Sequence, residues 1–330
     1  MFRLKGVDTL INVNMRLTIA IVNIVLCFLS PASSLSLPYD APKKIKVIVT
    51  GAAGKTGSLV FSKLEENPLF QPIGVVRSEK SAKALLKSVK CDLDHIYIAD
   101  VTTLNKDDAI PAVLEGSKAM VICTSAVPVI DKLSLAIAFL KIPYNLIRRR
   151  KPVNSRSLKF TWKAGQYPEM VDYLGQVAQI DMAKKIGVEH VIIVSSMGGT
   201  DPKNFLNSIG KKPDGTGNGD ILLWKRKAEK YLVQSGLAYT IIHPGGLVDK
   251  EEGVEQFLID VDDKLIDRKK RSISRSDVAN LCIAALTVGK GRNVSLDCIT
   301  RETAEGEKVK SAEDALLDFL KEKKTANYSL

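Results

Sequence analysis

The fold is decided by Val47–Gly57, VIVTGAAGKTG, where a run of β-branched residues stops at a glycine and glycines then recur every three residues. Apolar residues at helical spacing follow, so the stretch predicts a strand, a tight turn and a helix. Gly51 would allow the turn, Gly54 a close approach of the backbone to a ligand, and Gly57 the packing of helix on strand. Because free N–H groups at a helix start favour an anion, we expect a phosphate here.

The spacing of the glycines excludes a Walker-type phosphate site but does not identify the ligand. It is G-x-x-G-x-x-G rather than the more familiar G-x-G-x-x-G. It is not a Walker loop either, because Gly54-Lys55-Thr56 follows Gly51 too closely to end the turn at the distance that motif requires. A glycine-rich turn alone is weak evidence, so the ligand depends on the rest of the chain.

Strand and helix patterns alternate from Lys44 to the C-terminus. Strands separated by helices of this length build a parallel, doubly wound sheet with right-handed crossovers, so we expect an α/β domain over residues 44–330. After the first strand, the expected strands are 71–77, 95–99, 118–124, 190–196, 238–243 and 293–299. The expected helices after the glycine turn are 79–89, 168–186, 220–236, 276–288 and 312–324.

Two segments, 131–165 and 200–219, interrupt this alternation. The first carries two prolines and a basic run with little clear periodicity, and the second is rich in Gly, Asn, Asp and Pro. Both follow carboxyl ends of strands, the edge of an open α/β sheet where ligands bind. We interpret them as walls of a binding pocket, with plain surface insertion as the alternative for the first.

The charge of the chain gives little support for nucleic-acid binding. The formal net charge is +11, yet both signs are interspersed along most of the 330 residues. The main exception is Arg148–Lys151, which would suit a nucleic acid or an anionic membrane. No DNA- or RNA-binding motif accompanies it, so we expect no nucleic-acid partner.

Cysteine and histidine offer no framework for a disulfide scaffold or a metal site. The five cysteines form no C-x-x-C pair and show no regular spacing, and the three histidines are scattered along the chain. We therefore expect buried, unpaired cysteines and no bound metal.

The first 34 residues have the pattern of a targeting presequence. Arg16 precedes the apolar run 17–29, and small residues follow it, as in a secretory signal peptide. The run is short for a bilayer span of ~20 residues, although a signal anchor is the alternative. We expect entry into the secretory pathway and no integral span in the mature chain. In an alga with a secondary plastid, that route would lead to the plastid.

The end of the second strand indicates which dinucleotide is bound. An NAD site usually has an acidic residue there for the ribose 2′-hydroxyl, whereas this chain has Arg77 followed by Ser78. Arg77 would pair with a 2′-phosphate, and Lys55 could add charge, so we expect NADP(H). A solvated surface arginine is the alternative. Asp100 and Val101 fit a contact with the adenine edge, or Asp100 caps a helix.

Taken together, the motifs resemble those of the atypical short-chain dehydrogenases/reductases, namely the NAD(P)-binding proteins of plants, algae and cyanobacteria related to the NmrA-like and Tic62-like proteins. The resemblance runs from about Lys44 to the C-terminus and implies an NAD(P)-binding Rossmann fold. The stretches that carry it are 49–57 (VTGAAGKTG), 124–128 (TSAVP), 165–169 (GQYPE), 194–200 (VSSMGGT), 224–229 (WKRKAE) and 240–246 (TIIHPGG).

The resemblance also implies a cofactor path across the sheet edge. In the family, residues at the positions of 125–127 line that path, and the Pro-Gly after the sixth strand approaches the nicotinamide. The expected cofactor-binding residues are Gly51, Ala53, Gly54, Lys55, Thr56, Gly57, Arg77, Asp100, Val101, Ser125, Ala126, Val127, Lys225, Pro244 and Gly245.

The family's catalytic residues are only partly present. Active members use a Ser, a Tyr and a Lys, with the Tyr four residues before the Lys on one helix face, so that the ammonium lowers the pKa of the phenol. Ser196 matches the serine and Lys225 the lysine, but the tyrosine position falls on Ile221, which cannot donate a proton.

Other side chains could replace the missing phenol. Tyr173 and Asp172, early in the helix 168–186, and Tyr167 before it are candidates, with packing as the alternative for Tyr173. His243 is either a pocket residue at a strand end or a core histidine with satisfied hydrogen bonds.

We therefore expect an NADP(H)-binding oxidoreductase acting on an unidentified small organic substrate without the usual tyrosine. The alternative is a non-catalytic NADP(H)-binding protein that senses redox state or holds a protein partner. A sugar-nucleotide or lipid-modifying enzyme is disfavoured by the short C-terminal portion.

Overall fold

The computed structural model describes residues 43–89, 91–104, 109–149, 159–212 and 214–329. The predicted presequence, residues 1–34, lies outside the described residues, as do Arg150 and Lys151 of the basic run. Among the described residues, no helix combines the length and hydropathy needed to cross a bilayer.

The described strands build an eight-stranded sheet in the order β10-β12-β8-β7-β4-β1-β2-β3 and two small ribbons, β9 with β11 and β5 with β6. The strands are Ile45–Thr50 (β1), Phe70–Val76 (β2), Ile96–Ile98 (β3), Ala119–Ile122 (β4), Val129–Ile130 (β5), Phe160–Thr161 (β6), His190–Val194 (β7), Ala238–Pro244 (β8), Gly246–Val248 (β9), Gln256–Asp260 (β10), Ser272–Ser274 (β11) and Val294–Arg301 (β12).

Helices follow most strands. They are Lys55–Glu66 (α1), Glu79–Ser88 (α2), Lys132–Leu140 (α3), Ile142–Ile147 (α4), Gly175–Ile186 (α5), Phe205–Ser208 (α6), Ile221–Gln234 (α7), Arg275–Thr287 (α8) and Ala312–Lys321 (α9). A π-helical segment, Glu169–Leu174, runs directly into α5, and short 3-10 turns occupy Leu93–His95 and Ala112–Leu114.

The strand pairing confirms the predicted α/β doubly wound sheet. The β1 strand pairs in parallel with β2 on one side and with β4 on the other, so the strand order reverses at β1. The glycine turn that follows β1 is therefore at the topological switch point, where open α/β sheets bind ligands. The sheet is not wholly parallel, because the edge strand β10 runs antiparallel to β12. The sequence did not predict β10, because no helix follows this strand and it therefore lies outside the alternation of strands and helices.

The two faces of the sheet explain the continuous β-branched run of β1. Val47 and Val49 belong to the apolar cluster on one face, and Ile48 belongs to the cluster on the other. Successive strand residues point to opposite faces, so a strand covered by helices on both sides is apolar throughout.

The two irregular segments contain helices that the sequence did not predict. The β5–β6 ribbon carries α3 and α4, in which most residues are apolar, so no single helix face stands out in the sequence. In the second segment, the buried Asn207 accepts a hydrogen bond from the N–H of Leu222 (2.9 Å), which ties this loop to the start of α7. Whether either segment is a pocket wall stays a prediction.

Candidate functional site

The turn after β1 is packed so tightly that Gly51 and Gly57 have no room for a side chain. Gly51 has a φ of 66°, and a Cβ there would lie 2.9 Å from the backbone of Cys123, the residue after β4. A Cβ on Gly57 would lie 2.9 Å from the carbonyl carbon of Gly51 and closer still to its oxygen. Gly54 is the N-cap of α1, and its own N–H donates to the Gly51 carbonyl (2.8 Å).

The start of α1 is open to an anion. No side chain caps it and no acidic residue lies in its first turn, so nothing in that turn competes for its N–H groups. Ala53 and Gly54 are exposed and Thr56 is half-buried, which leaves the turn accessible. The turn has no room for extra side chains and leads into an uncapped helix start, an arrangement that fits a pyrophosphate.

Lys55, the first residue of α1, is in an exposed ion pair. Its Nζ lies 3.1 Å from Asp249 after β9, and Asp249 is also paired with Arg275 (2.5 Å). Hydrogen bonding from Lys55 holds the pKa of Asp249 below its usual value. Such an exposed pair is weak, because water screens it, so it would not keep Lys55 from a bound phosphate.

Arg77 lies at the carboxyl end of β2, fully available to a ligand. Its side chain is exposed, and no ion-pair partner for it is found among the described residues. The neighbouring Ser78 is the N-cap of α2, accepting from the N–H of Ser81 (3.3 Å). This strand end thus offers a guanidinium and a hydroxyl where an NAD site has a carboxylate.

Asp100 and Val101 have local roles. The Asp100 carboxylate accepts from the N–H and the hydroxyl of Thr102 (3.0 and 2.8 Å), so it caps a turn rather than a described helix. A Cβ on Gly175 would meet the Val101 side chain at 3.4 Å, which places Val101 against the start of α5.

A buried ion pair joins three elements around the β4 loop. The Lys225 ammonium on α7 lies 2.8 Å from the Asp172 carboxylate in the π-helical segment. Both residues are buried, with exposed fractions of 5% for Lys225 and 0% for Asp172. The second carboxylate oxygen of Asp172 accepts from the N–H of Ala126 (3.0 Å). One carboxylate therefore fixes both the predicted lysine and the loop Ser125–Val127, in which Val127 is exposed.

Ser196 lies beside the end of β8. Its neighbours bind that strand, since the N–H of Ser195 donates to Ile242 (2.8 Å) and that of Met197 to Pro244 (3.1 Å). Ser196 and Pro244 therefore lie at the same edge of the sheet. The described hydrogen bonds and ion pairs do not join Ser196 to Lys225.

The two tyrosines that could replace the family's catalytic tyrosine, Tyr173 and Tyr167, are both partly buried among other residues. Tyr173 stacks on Trp224 with ring centroids 5.7 Å apart, and the ammonium of Lys227 lies 4.0 Å from the Trp224 ring. Tyr173 is half-buried, which suits the packing alternative. Tyr167 is also half-buried, and its carbonyl accepts hydrogen bonds from the N–H groups of Met170 and Val171 in the π-helical segment. Ile221, at the family's tyrosine position, is half-buried at the first residue of α7.

A second group of buried charges centres on His243, a core histidine with satisfied hydrogen bonds. Its Nε2 lies 3.1 Å from Glu229, and its Nδ1 lies 3.2 Å from Asp297. Burial alone would lower the pKa of His243, but the two carboxylates raise it to about 10. Burial would raise the pKa of Glu229, which His243, Ser195 and Arg226 instead lower to about 2.

The chain's C-terminal residues pack on these charges. Arg226 donates to the carbonyl of Asn327, and its guanidinium lies 3.9 Å from the ring centroid of Tyr328. The Tyr328 hydroxyl lies 2.9 Å from that of Ser295. The quoted motifs contain His243, Arg226 and Glu229, but the sequence did not predict that these residues meet one another or that Asp297 and Tyr328 join them.

These features are those of a dinucleotide-binding protein, and comparison with known families agrees. Residues 51–288 match the model of the NAD(P)H-binding family, so the chain belongs to that family. The resemblance to NmrA-like and Tic62-like atypical short-chain dehydrogenases/reductases is thereby confirmed, and with it NAD(P) as the class of cofactor.

Two relatives are similar to this chain in sequence, and one solved structure is similar to it in fold. It is 39% identical over 276 residues to sanguinarine reductase of Eschscholzia californica, covering 82% of this chain and 94% of that protein. It is 38% identical over 264 residues to an uncharacterised chloroplastic protein of Arabidopsis thaliana, covering 79% and 71%. A structure from Bacillus halodurans, named for the NAD-dependent epimerases/dehydratases, has a TM-score of 0.57 at 19% identity, covering 83% and 99%, and shares the fold.

Proposed function

We propose that this protein is an NADPH-dependent reductase of a small organic substrate. The observation that carries the proposal is the pairing of an uncapped helix start, behind the Gly51–Gly57 turn, with the exposed Arg77 on the adjacent strand. The first suits a pyrophosphate and the second a 2′-phosphate. The 39% identity to a reductase over nearly its whole length supports the assignment of reaction type.

In this proposal, the buried pair arranges the nicotinamide end of the site. Asp172 holds Lys225 by an ion pair and the Ala126 N–H by a hydrogen bond, so the lysine and the 125–127 loop keep a fixed separation. With its ammonium so held, Lys225 would donate to a ribose hydroxyl rather than move a proton. Ser196, whose hydroxyl donates to the adjacent Met197 carbonyl (3.2 Å), would turn to the substrate.

Ile221 restricts the substrates that such a site can reduce. NADPH, when bound, supplies a hydride. A carbonyl that accepts hydride also needs a proton on its oxygen, which Ile221 cannot give. A cationic C=N⁺ group needs none, because its π electrons move onto nitrogen and cancel the charge. We therefore propose a substrate with a cationic or otherwise strongly electron-poor acceptor carbon.

We further propose that residues 1–34 direct the protein to the plastid. The related Arabidopsis protein is chloroplastic. The basic residue, apolar run and small residues of this segment suit a signal peptide, and in an alga with a secondary plastid that route leads to the plastid. A fluorescent tag on the C-terminus should co-localise with chlorophyll, and a cytosolic signal would contradict the targeting proposal.

Turnover is the test of the reductase proposal. The full-length protein is mixed with NADPH and a panel of cationic imines, quinones, aldehydes and ketones, while absorbance reports NADPH consumption and fluorescence reports NADPH binding. We expect consumption with an electron-poor member of the panel and a lower rate for Ser196→Ala. Lys184→Ala, an exposed change on α5 outside both predicted pocket walls, is the control.

Two results would count against the reductase. Tight NADPH binding without oxidation of NADPH by any acceptor would favour a redox sensor or scaffold. Isoleucine at the tyrosine position also fits that alternative. Failure to bind NADPH at all would overturn the cofactor assignment itself.

A further inference from the structure

The helix pair α3–α4 exposes an apolar surface that no other described element covers. Leu133, Ile137 and Leu140 follow one another at helical spacing on α3, and all three are exposed, Leu140 by 81%. On α4, Ile147 is 82% exposed. A monomeric protein rarely leaves so many large apolar side chains together in water, so such a surface marks an interaction site.

The helix pair contributes almost nothing to the core. Only Ser134 and Ala138 of α3 are buried, and no residue of α4 is. Neither helix supplies a member of the three described apolar clusters. Its outward apolar residues are therefore not needed to hold the fold together.

The pair is nevertheless firmly attached at its base. The β5–β6 ribbon pairs Val129 with Thr161, and Asp131 caps α3 by accepting from the N–H of Ser134 (2.8 Å). The hydroxyl of Ser134 also accepts from the N–H of Lys159 (3.1 Å). The apolar surface is thus presented on a fixed support.

The charge around this surface has one sign. From Lys132 to Arg149, every ionisable side chain except the phenol of Tyr144 is basic, namely Lys132, Lys141, Arg148 and Arg149. All four are exposed, and none has an ion-pair partner among the described residues. Asp131 is the adjacent acid, and its carboxylate caps α3.

We infer that α3–α4 binds the surface of an anionic lipid bilayer. Exposed Leu and Ile would enter the boundary between headgroups and acyl chains, while the flanking cations contact anionic headgroups. A second copy of this chain is a poorer partner, because a symmetric contact would bring the same cations together. A nucleic acid is also poorer, because it would leave the aliphatic side chains in water.

Two double variants separate the apolar from the electrostatic contribution. Leu140→Ser with Ile147→Ser should weaken binding to vesicles of phosphatidylglycerol and phosphatidylcholine by about tenfold or more. Arg148→Gln with Arg149→Gln should weaken it by about 30-fold, since each cation near an anionic surface contributes about a factor of five. Added salt should weaken the wild type as well. All four positions are exposed, so folding should be unchanged.

The controls repeat each change elsewhere on the surface. Leu69→Ser with Leu93→Ser removes two other exposed apolar residues, and Lys83→Gln with Lys87→Gln removes two other exposed cations. The full chain also carries the apolar run 17–29, which could itself bind vesicles. The inference is therefore tested by the difference in vesicle binding between the test and control variants and not by wild-type binding alone.

Vesicle flotation gives the result that supports or overturns the inference. It is supported if both α3–α4 variants bind less while both controls bind like the wild type. It is overturned if test and control variants bind alike or if pure phosphatidylcholine binds as tightly. Duplex RNA or DNA binding in place of vesicle binding would also overturn it, as would a dimer that Leu140→Ser with Ile147→Ser dissociates. Neither result depends on NADPH or turnover.

Discussion

Replacing one partner of the Lys225–Asp172 pair should destabilise the protein far more than replacing both. The two residues are 5% and 0% exposed and lie 2.8 Å apart, so water cannot solvate the charge that remains. Lys225→Met leaves the Asp172 carboxylate with one described donor, the Ala126 N–H, and Asp172→Asn leaves a buried ammonium. Each single change should cost about 3–5 kcal/mol.

The double variant carries no buried charge. Asparagine keeps an oxygen for the Ala126 N–H, and methionine fills most of the volume of the lysine stem. The remaining cost is that of a buried amide lacking one partner, about 1–3 kcal/mol. If the single costs were independent, the double variant would lose roughly 6–10 kcal/mol, so we expect a coupling energy of several kcal/mol in the double-mutant cycle.

Urea unfolding of the four proteins, followed by circular dichroism at neutral pH, measures this coupling. The exposed pair Lys118–Glu189 has the same 2.8 Å separation and is the matched control. Lys118→Met should cost under about 1 kcal/mol. Additive costs for the Lys225 and Asp172 variants would refute the argument that this pair is a coupled, buried unit.

Two further predictions concern the glycine turn and the buried histidine. Gly57→Ala places a Cβ against the carbonyl of Gly51, so it should lower the free energy of unfolding by about 1–3 kcal/mol and weaken NADPH binding. Gly246→Ala is the control, because its Cβ would have no atom nearer than 3.5 Å, and it should change neither stability nor binding. Unchanged NADPH binding in Gly57→Ala would argue against the pyrophosphate site. For His243, the two carboxylates outweigh burial and raise the pKa to about 10 from an ordinary value of 6.5, so its contribution to stability is complete below about pH 6.5 and is lost as the pH rises through about 10. Wild-type protein should therefore lose stability over that alkaline range and His243→Gln should not, as urea midpoints across pH would show; equal slopes would contradict the assignment.

Local patterns were sufficient to predict the central sheet. The strand at residues 45–50 is buried on both faces, so its β-branched run could be recognised without any partner. The glycine turn was equally readable, because its three glycines recur at a fixed spacing directly after the strand. The edge strand 256–260 was missed because another short strand follows it instead of a helix, so it lies outside the alternation that identified the others.

The buried charges could not be predicted, because they are paired across the fold. Asp172 and Lys225 lie on different helices, and His243 and Asp297 lie on neighbouring strands. Periodicity identifies which residues are buried, not which of them meet. The 132–147 helices were missed because most of their residues are apolar, so no single helix face stands out in the sequence.

Cofactor preference tests the central claim that the turn at Gly51–Gly57 and Arg77 together bind NADP(H). The measurement is the dissociation constant of NADPH and of NADH, by fluorescence titration, for wild type and Arg77→Glu. A charge-assisted pair with the 2′-phosphate contributes about 1.5–3 kcal/mol. We therefore expect the variant to lose at least about tenfold in NADPH affinity while its NADH affinity holds or rises.

The control is Lys83→Glu, the same charge change at an exposed position on the next helix, which should leave both constants unchanged. Equal losses for NADPH and NADH in Arg77→Glu, or no loss for either, would contradict the account.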